Sequence, residues 1–293
     1  DIETCAEAQE FPLLPGRFFA PLLDIKETTK YRKRRNWMKH EPYPVPDKNG
    51  VISRRAPVLF APDLIKTRDE WRTENIFGLT DTGYPLLKSE GRAHRQYVTD
   101  GEHELHRLMR STVGASLKIA VRKHGWTWIT KDQLLDHPKC PPETAKAKSP
   151  LMLTLPDKRR LEMDDLYRWQ TTERIYKTYF FEANRSTEDT WTYGKKHSSL
   201  EEKVRRYDIV FDQLLYEAHF GIKGKPMVLF VTLYESEIPA MLEMVNAVSR
   251  FPDRYLLRAK SYFDSKTWKV PPLMTDLFTD PWQSVKGPVF LNR

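Results

Sequence analysis

SLEEKVRRYDIVFDQLLYEAHFGIKGKPMVLFVTLYESEIPAMLEMVNAVSRF, residues 199–251, is the stretch that decides the fold class. Its middle, Pro226 to Tyr234, is the most continuously apolar run in the chain. β-branched and aromatic residues that do not alternate with polar ones suit a strand buried on both faces, so this run is read as the centre of a sheet. Ahead of it, Ser199 with Glu202 has the spacing of a capping box, and Leu200, Val204, Tyr207, Phe211, Leu214, Leu215 and Ala218 recur at helical spacing up to Gly221. Behind it, Ser236 is placed to cap a second helix that tolerates Pro239 in its first turn. That helix carries Met241, Leu242, Met244, Val245 and Val248 and closes at Phe251 and Pro252. Helix, strand, helix predicts an α/β chain, with mixed α+β as the variant: a small core between long, proline-rich, extended arms at both ends.

Working outward, Asp157 is expected to open a long helix to about Ala183, with Leu161, Leu166, Trp169, Ile175, Tyr176, Tyr179 and Phe180 as an aromatic stripe that packs into the core. Residues 157–270 are then the main α/β domain, and 138–156, with Pro138, Pro141, Pro142, Pro150 and Pro156, the linker before it. Residues 99–137 read as a small unit. Its helix runs from Asp100 to His124, with Leu105, Leu108, Met109, Leu117 and Val121 on one side and Arg107, Arg110, Lys118, Arg122 and Lys123 on the other. A strand over Trp126 to Ile129 and a short helix capped by Thr130 complete it.

Residues 1–98 hold nine of the 21 prolines and little periodicity, and are read as an extended basic arm. The arm opens acidic, with Asp1, Glu3, Glu7 and Glu10, and continues with an apolar strip, Phe11 to Phe19, broken by Pro12 and Pro15. Glu41 to Pro46 is expected to be extended and to end in a turn at Asn49 and Gly50, and Asp63 to cap a short helix to about Asn75. Residues 271–293 form the second, C-terminal arm.

The 40% hydrophobic content of this 293-residue chain excludes a disordered protein. A formal charge of +8 favours an anionic partner. Cys5 and Cys140 stand far apart, which excludes a disulfide framework and a cysteine zinc site and fits a reducing compartment. No apolar run approaches the roughly 18 residues of a membrane span. A start at Asp1 fits removal of an organellar targeting peptide, and the expected location is the mitochondrial matrix.

The strongest charge feature is Lys30, Tyr31, Arg32, Lys33, Arg34, Arg35, Trp37 and Lys39, continued by Arg54 and Arg55. Neighbouring cations repel unless a polyanion neutralises them, guanidinium groups grip phosphate in pairs of hydrogen bonds, and aromatic rings offer stacking faces. These residues are the candidate nucleic-acid-binding set. A second basic and aromatic mixture runs from Arg254 to Lys269.

Catalytic signatures are weaker. His103, Glu104 and His106, with His94 upstream, fall short of a zincin, because position 107 is Arg107 where a ligand belongs. Glu162, Asp164 and Asp165 resemble a nuclease-type acid cluster in composition, but a helix there makes them a solvated face instead of carboxylates on paired strands. Gly221 to Pro226 precedes a strand, whereas a phosphate loop follows one, so it is read as a tight connection. The expectation is a non-catalytic structural subunit of a large assembly, a ribonucleoprotein such as the mitochondrial ribosome, with other subunits and RNA as partners and no cofactor or metal. The alternatives are a soluble accessory subunit of a respiratory or ATP synthase complex and a metal-dependent hydrolase.

Overall fold

A computed structural model describes residues 2–25, 43–46, 52–56, 59–60, 76–79, 87, 104–185, 190, 199–263 and 271–293. The basic run from Lys30 to Lys39, the turn at Asn49 and Gly50 and the helix from Asp63 lie outside them. The chain divides into two units, Asp1–Ile119 with Lys269–Met274 and Ala120–Trp268 with Thr275–Arg293.

In the first unit, α1 (Ile2–Glu10) leads into β1 (Leu14–Pro15), a 3-10 turn (Gly16–Phe18) and α2 (Phe19–Leu22). Pro12 and Pro15 do break the apolar strip into short pieces, and Phe11, Leu13, Leu14, Phe18 and Phe19 are all buried. β2 (Tyr43–Pro46) pairs antiparallel with β3 (Ile52–Ala56), which contains Arg54 and Arg55. β4 (Leu59–Phe60) and β5 (Ile76–Leu79) form an antiparallel sheet with β1 in the order β1-β5-β4.

α3 (Glu104–Lys123) is the longest described helix, and the division between the units falls within it, after Ile119. Its expected cationic outer face is corrected by the structure: Arg110 and Lys118 are only 5% and 2% exposed. Lys118 Nζ donates to Glu7 at 2.8 Å and Glu10 at 2.6 Å, so the acidic residues at the start of the chain neutralise a charge inside the unit.

The second unit is built on a five-stranded sheet. β6 (Thr127–Ile129) is followed by α4 (Lys131–Leu135) and α5 (Pro142–Ala145), and β7 (Met152–Thr154) pairs with β8 (Arg160–Glu162). β9 (Asp165–Gln170), β10 (Tyr176–Ala183), α6 (Leu200–Asp212), α7 (Leu215–Phe220), β11 (Met227–Thr232), α8 (Ile238–Val248), β12 (Tyr255–Ala259) and α9 (Asp276–Thr279) follow. The strand order is β12-β11-β10-β9-β6, with β10, β11 and β12 parallel and β9 antiparallel to both its neighbours. β11 lies at an inner position and is buried almost throughout, as its unalternating composition requires. The mixed α/β class holds.

The long helix expected over 157–183 is instead three strands. Lys158, in the turn from β7 into β8, and Arg174, in the turn from β9 into β10, take positive φ, and Thr171 accepts a hydrogen bond from Ile175 N–H to close the β9–β10 hairpin. A strand covered on both faces shows unbroken aromatic runs, which match helical spacing as readily as a real helix does. Leu166 and Phe180 face one side. Tyr167, Trp169, Tyr179 and Phe181 face the other, where Trp169 stacks on Trp128 and Tyr179.

The helix predicted from Ser199 to Ala218 is broken once, at Leu214, whose φ of 53° ends α6 and starts α7. Ser199 caps α6 by accepting Glu202 N–H at 3.1 Å, whereas Ser236 caps nothing and lies in a 3-10 turn (Glu235–Glu237). In residues 275–293, Trp282 is fully buried and exchanges backbone hydrogen bonds with Val289, while Leu257 does the same with Gln283. No described helix is long and apolar enough to cross a membrane.

Candidate functional site

Glu182 occupies the carboxyl end of β10, the first of the three parallel strands, where open α/β sheets commonly place their chemistry. The antiparallel register sets Asp165, the first residue of β9, across from Phe181, so Asp164 in the bend just before it comes beside the end of β10, close enough for its charge to act on Glu182 and on Tyr207 of α6. Lys203 and Tyr207 are four apart on α6 and therefore share its inward side. Lys203 Nζ donates to Glu182 Oε2 at 2.8 Å, and Tyr207 Oη donates to Glu182 Oε1. Asp164 Oδ2 accepts the backbone N–H of Ala183 at 2.7 Å, which holds its carboxyl beside the end of β10.

Burial dominates the electrostatics here. Glu182 is 1% exposed, and the lost hydration pushes its carboxyl up to about 7, with Lys203 pulling it down and the neighbouring Asp164 charge adding to the rise. Tyr207 is driven well above its ordinary value, first by burial and then by the Glu182 charge. A carboxyl that titrates near neutrality beside a second carboxylate and a lysine is able to exchange protons or to trade its proton for a metal ion. Among the described residues no group of three His, Cys, Asp or Glu side chains is placed to hold a metal by itself.

The acid trio singled out in the sequence is thereby separated. Glu162 is exposed on β8, Asp164 joins Glu182, and Asp165 points to the opposite face, where it accepts Lys131 Nζ at 2.8 Å in a fully buried pair. The objection that these carboxylates lie on one helix is removed: Glu162 lies on β8, Asp165 on β9 and Asp164 in the bend between them. Glu182 and Lys203 were missed because the strand was read as a helix; Glu182 beside the apolar run Tyr179 to Phe181 was the available signal.

Of the candidate nucleic-acid set, Lys30, Tyr31, Arg32, Lys33, Arg34, Arg35, Trp37 and Lys39 lie outside the described residues, and Arg54 and Arg55 lie in β3. Part of the second basic mixture is internally neutralised: Arg258 meets Asp276 at 2.8 Å, and Lys260 meets the same carboxylate. Cys140 is buried, and Gly221 to Pro226 is a connection into β11. Comparison with protein-family models, curated proteins and solved structures finds no significant match to this chain.

Proposed function

We propose that this protein acts on nucleic acid and that the corner formed by Asp164, Glu182 and Lys203 hydrolyses a phosphodiester bond with the help of a divalent cation. The observation that carries this reading is the approach of two carboxylates, Asp164 in the bend before β9 and Glu182 on β10, beside a lysine at the carboxyl end of β10. Magnesium-type cations take one or two protein carboxylates and complete their shell with water and substrate phosphate. Asp164 and Glu182 would supply such a pair once a cation displaced the donors that now hold both Glu182 oxygens, and Lys203 would add positive charge where the phosphoryl oxygens become more negative. In the reaction a water oxygen bonds to phosphorus and the bond to the leaving sugar oxygen breaks. The attacking water gives up a proton and the leaving oxygen takes one. The +8 charge and the run from Lys30 to Arg55 suit the polyanion. Incubation of the whole chain with single- and double-stranded DNA and RNA and Mn²⁺ or Mg²⁺ is expected to give cleavage that stops on chelation and falls by about a hundredfold or more in Asp164→Asn. Absence of cleavage together with absence of Mn²⁺ binding by calorimetry overturns the reading.

One observation favours a second reading. Both Glu182 oxygens already have donors, in Lys203 and Tyr207, as a pin between helix and sheet requires. The chain is then a non-catalytic building block of a large assembly, a ribonucleoprotein such as the mitochondrial ribosome, that meets RNA phosphates through its basic residues. An accessory subunit of a respiratory or ATP synthase complex is the protein-only variant. RNA binding without cleavage selects the ribonucleoprotein, and nuclease-resistant copurification with membrane subunits selects the other.

A further inference from the structure

At the far end of the sheet face that carries Glu182, the second unit has a cavity of 350 Å³, within the range of small-molecule sites. Its floor is Arg168 on β9 and Tyr176 on β10, its roof the end of α7 and the following Ile222 and Lys223, and its side the turn carrying His137 and Lys139. Gly221 locks roof to side. A Cβ there would lie 2.2 Å from the Lys139 carbonyl oxygen, and φ is +67°, so only glycine lets the two segments meet.

The lining is one-sided in charge. It includes Arg168, Lys139 and Lys223 and no carboxylate. None of these three cations has an ion-pair partner among the described residues, and Arg168 Nε is buried without a hydrogen bond. The guanidinium lies over the Tyr176 ring at 4.6 Å, and burial pulls its pKa below the usual arginine value. Two further groups add donors. His137 Nδ1 accepts Lys139 N–H at 3.2 Å, which leaves the proton on Nε2, and Gln133 uses its Oε1 on Thr130 N–H at 2.9 Å, which leaves its amide nitrogen. Between the donors lie Ile129, Leu134 and Phe220, while Tyr176 keeps 51% of its surface exposed.

We propose that this cavity binds a phosphate monoester carried on a planar ring, that is, a nucleotide, either free or at the phosphorylated end of a nucleic-acid strand. Three cations lining one cavity suit a dianion better than a carboxylate, the arginine fork matches phosphate oxygens, and the apolar wall with the tyrosine takes the ring. Arg168 gains an anionic partner, which it lacks among the described residues. The site is separate from the Asp164 and Glu182 corner and does not depend on hydrolysis.

Calorimetric titration of the whole protein with adenosine 5′-monophosphate and uridine 5′-monophosphate tests it, with inorganic phosphate and adenosine as controls. Both nucleotides are expected to bind, and each control at least about tenfold more weakly. Lys139 and Lys223 are exposed, so Lys139→Ala with Lys223→Ala is expected to lower nucleotide affinity about tenfold or more at an unchanged melting temperature. Arg168→Gln is expected to do the same, and Asp164→Asn to leave binding intact. A 5′-phosphorylated oligonucleotide that competes with the mononucleotide, where its 5′-hydroxyl form does not, places a strand end in the cavity; failure to compete restricts the site to free nucleotide. No nucleotide binding at millimolar concentration overturns the proposal. Binding no tighter than that of inorganic phosphate, or unchanged in the double lysine variant, overturns it equally.

Discussion

Lys118 Nζ and Glu10 Oε2 stand 2.6 Å apart, joining positions separated by 108 residues, with Glu7 as the second acceptor and the Phe11 ring 5.4 Å away. Almost no water reaches Lys118, so the ion pair rests on complete satisfaction of the ammonium.

Removal of that ammonium leaves two carboxylates facing each other in a dry site. Lys118→Ala is expected to cost about 3–5 kcal/mol in urea unfolding of the whole chain. Lys118→Met combined with Glu7→Gln and Glu10→Gln is expected to recover most of the loss, because no charge is then stranded. A triple variant no better than Lys118→Ala contradicts the account.

Glu182 predicts a pH dependence. Its carboxyl titrates near 7 in the folded protein against an ordinary 4.5, so between those values the folded state keeps a proton that the unfolded chain releases. Its contribution is therefore fully present below pH 4.5 and is lost as pH rises through 7, at up to about 1.4 kcal/mol per pH unit. Subtracting the stability curve of Glu182→Gln from that of the natural chain is expected to leave this slope; a flat difference rules it out.

Gly221 and Gly224 give a matched pair. Both have positive φ, but a Cβ at Gly224 meets nothing within 4 Å, whereas at Gly221 it strikes the Lys139 carbonyl. Gly221→Ala is expected to cost more than about 2 kcal/mol and Gly224→Ala about 1, read from thermal unfolding. Equal costs refute the close approach of the two segments.

Replacement of Arg32, Lys33, Arg34 and Arg35 by Ala is expected to weaken nucleic-acid binding at low salt. It is also expected to reduce the slope of log affinity against log salt by about 3, near 0.7–0.9 per lost phosphate contact. Filter binding across a salt series measures both, and an unchanged slope removes these residues from the interface.

The sequence by itself determined the elements whose signals are local. The apolar run at Met227–Thr232 is an inner strand, Ser199 caps α6, and Thr130 starts α4, because capping and burial on both faces leave marks within a few residues. Tertiary structure decided what depends on a partner far along the chain. β9 and β10 are strands whose neighbours cover both faces over most of their length, and the sequence carries no period that separates this from a helix. Lys118 is buried because Glu7 and Glu10 reach it, and Asp164 comes beside Glu182 because the bend before β9 is held to the end of β10 by the Ala183 N–H. Charge is legible as a count of residues. Whether it faces water, a carboxylate or an open cavity is fixed only when the strands and helices close around it.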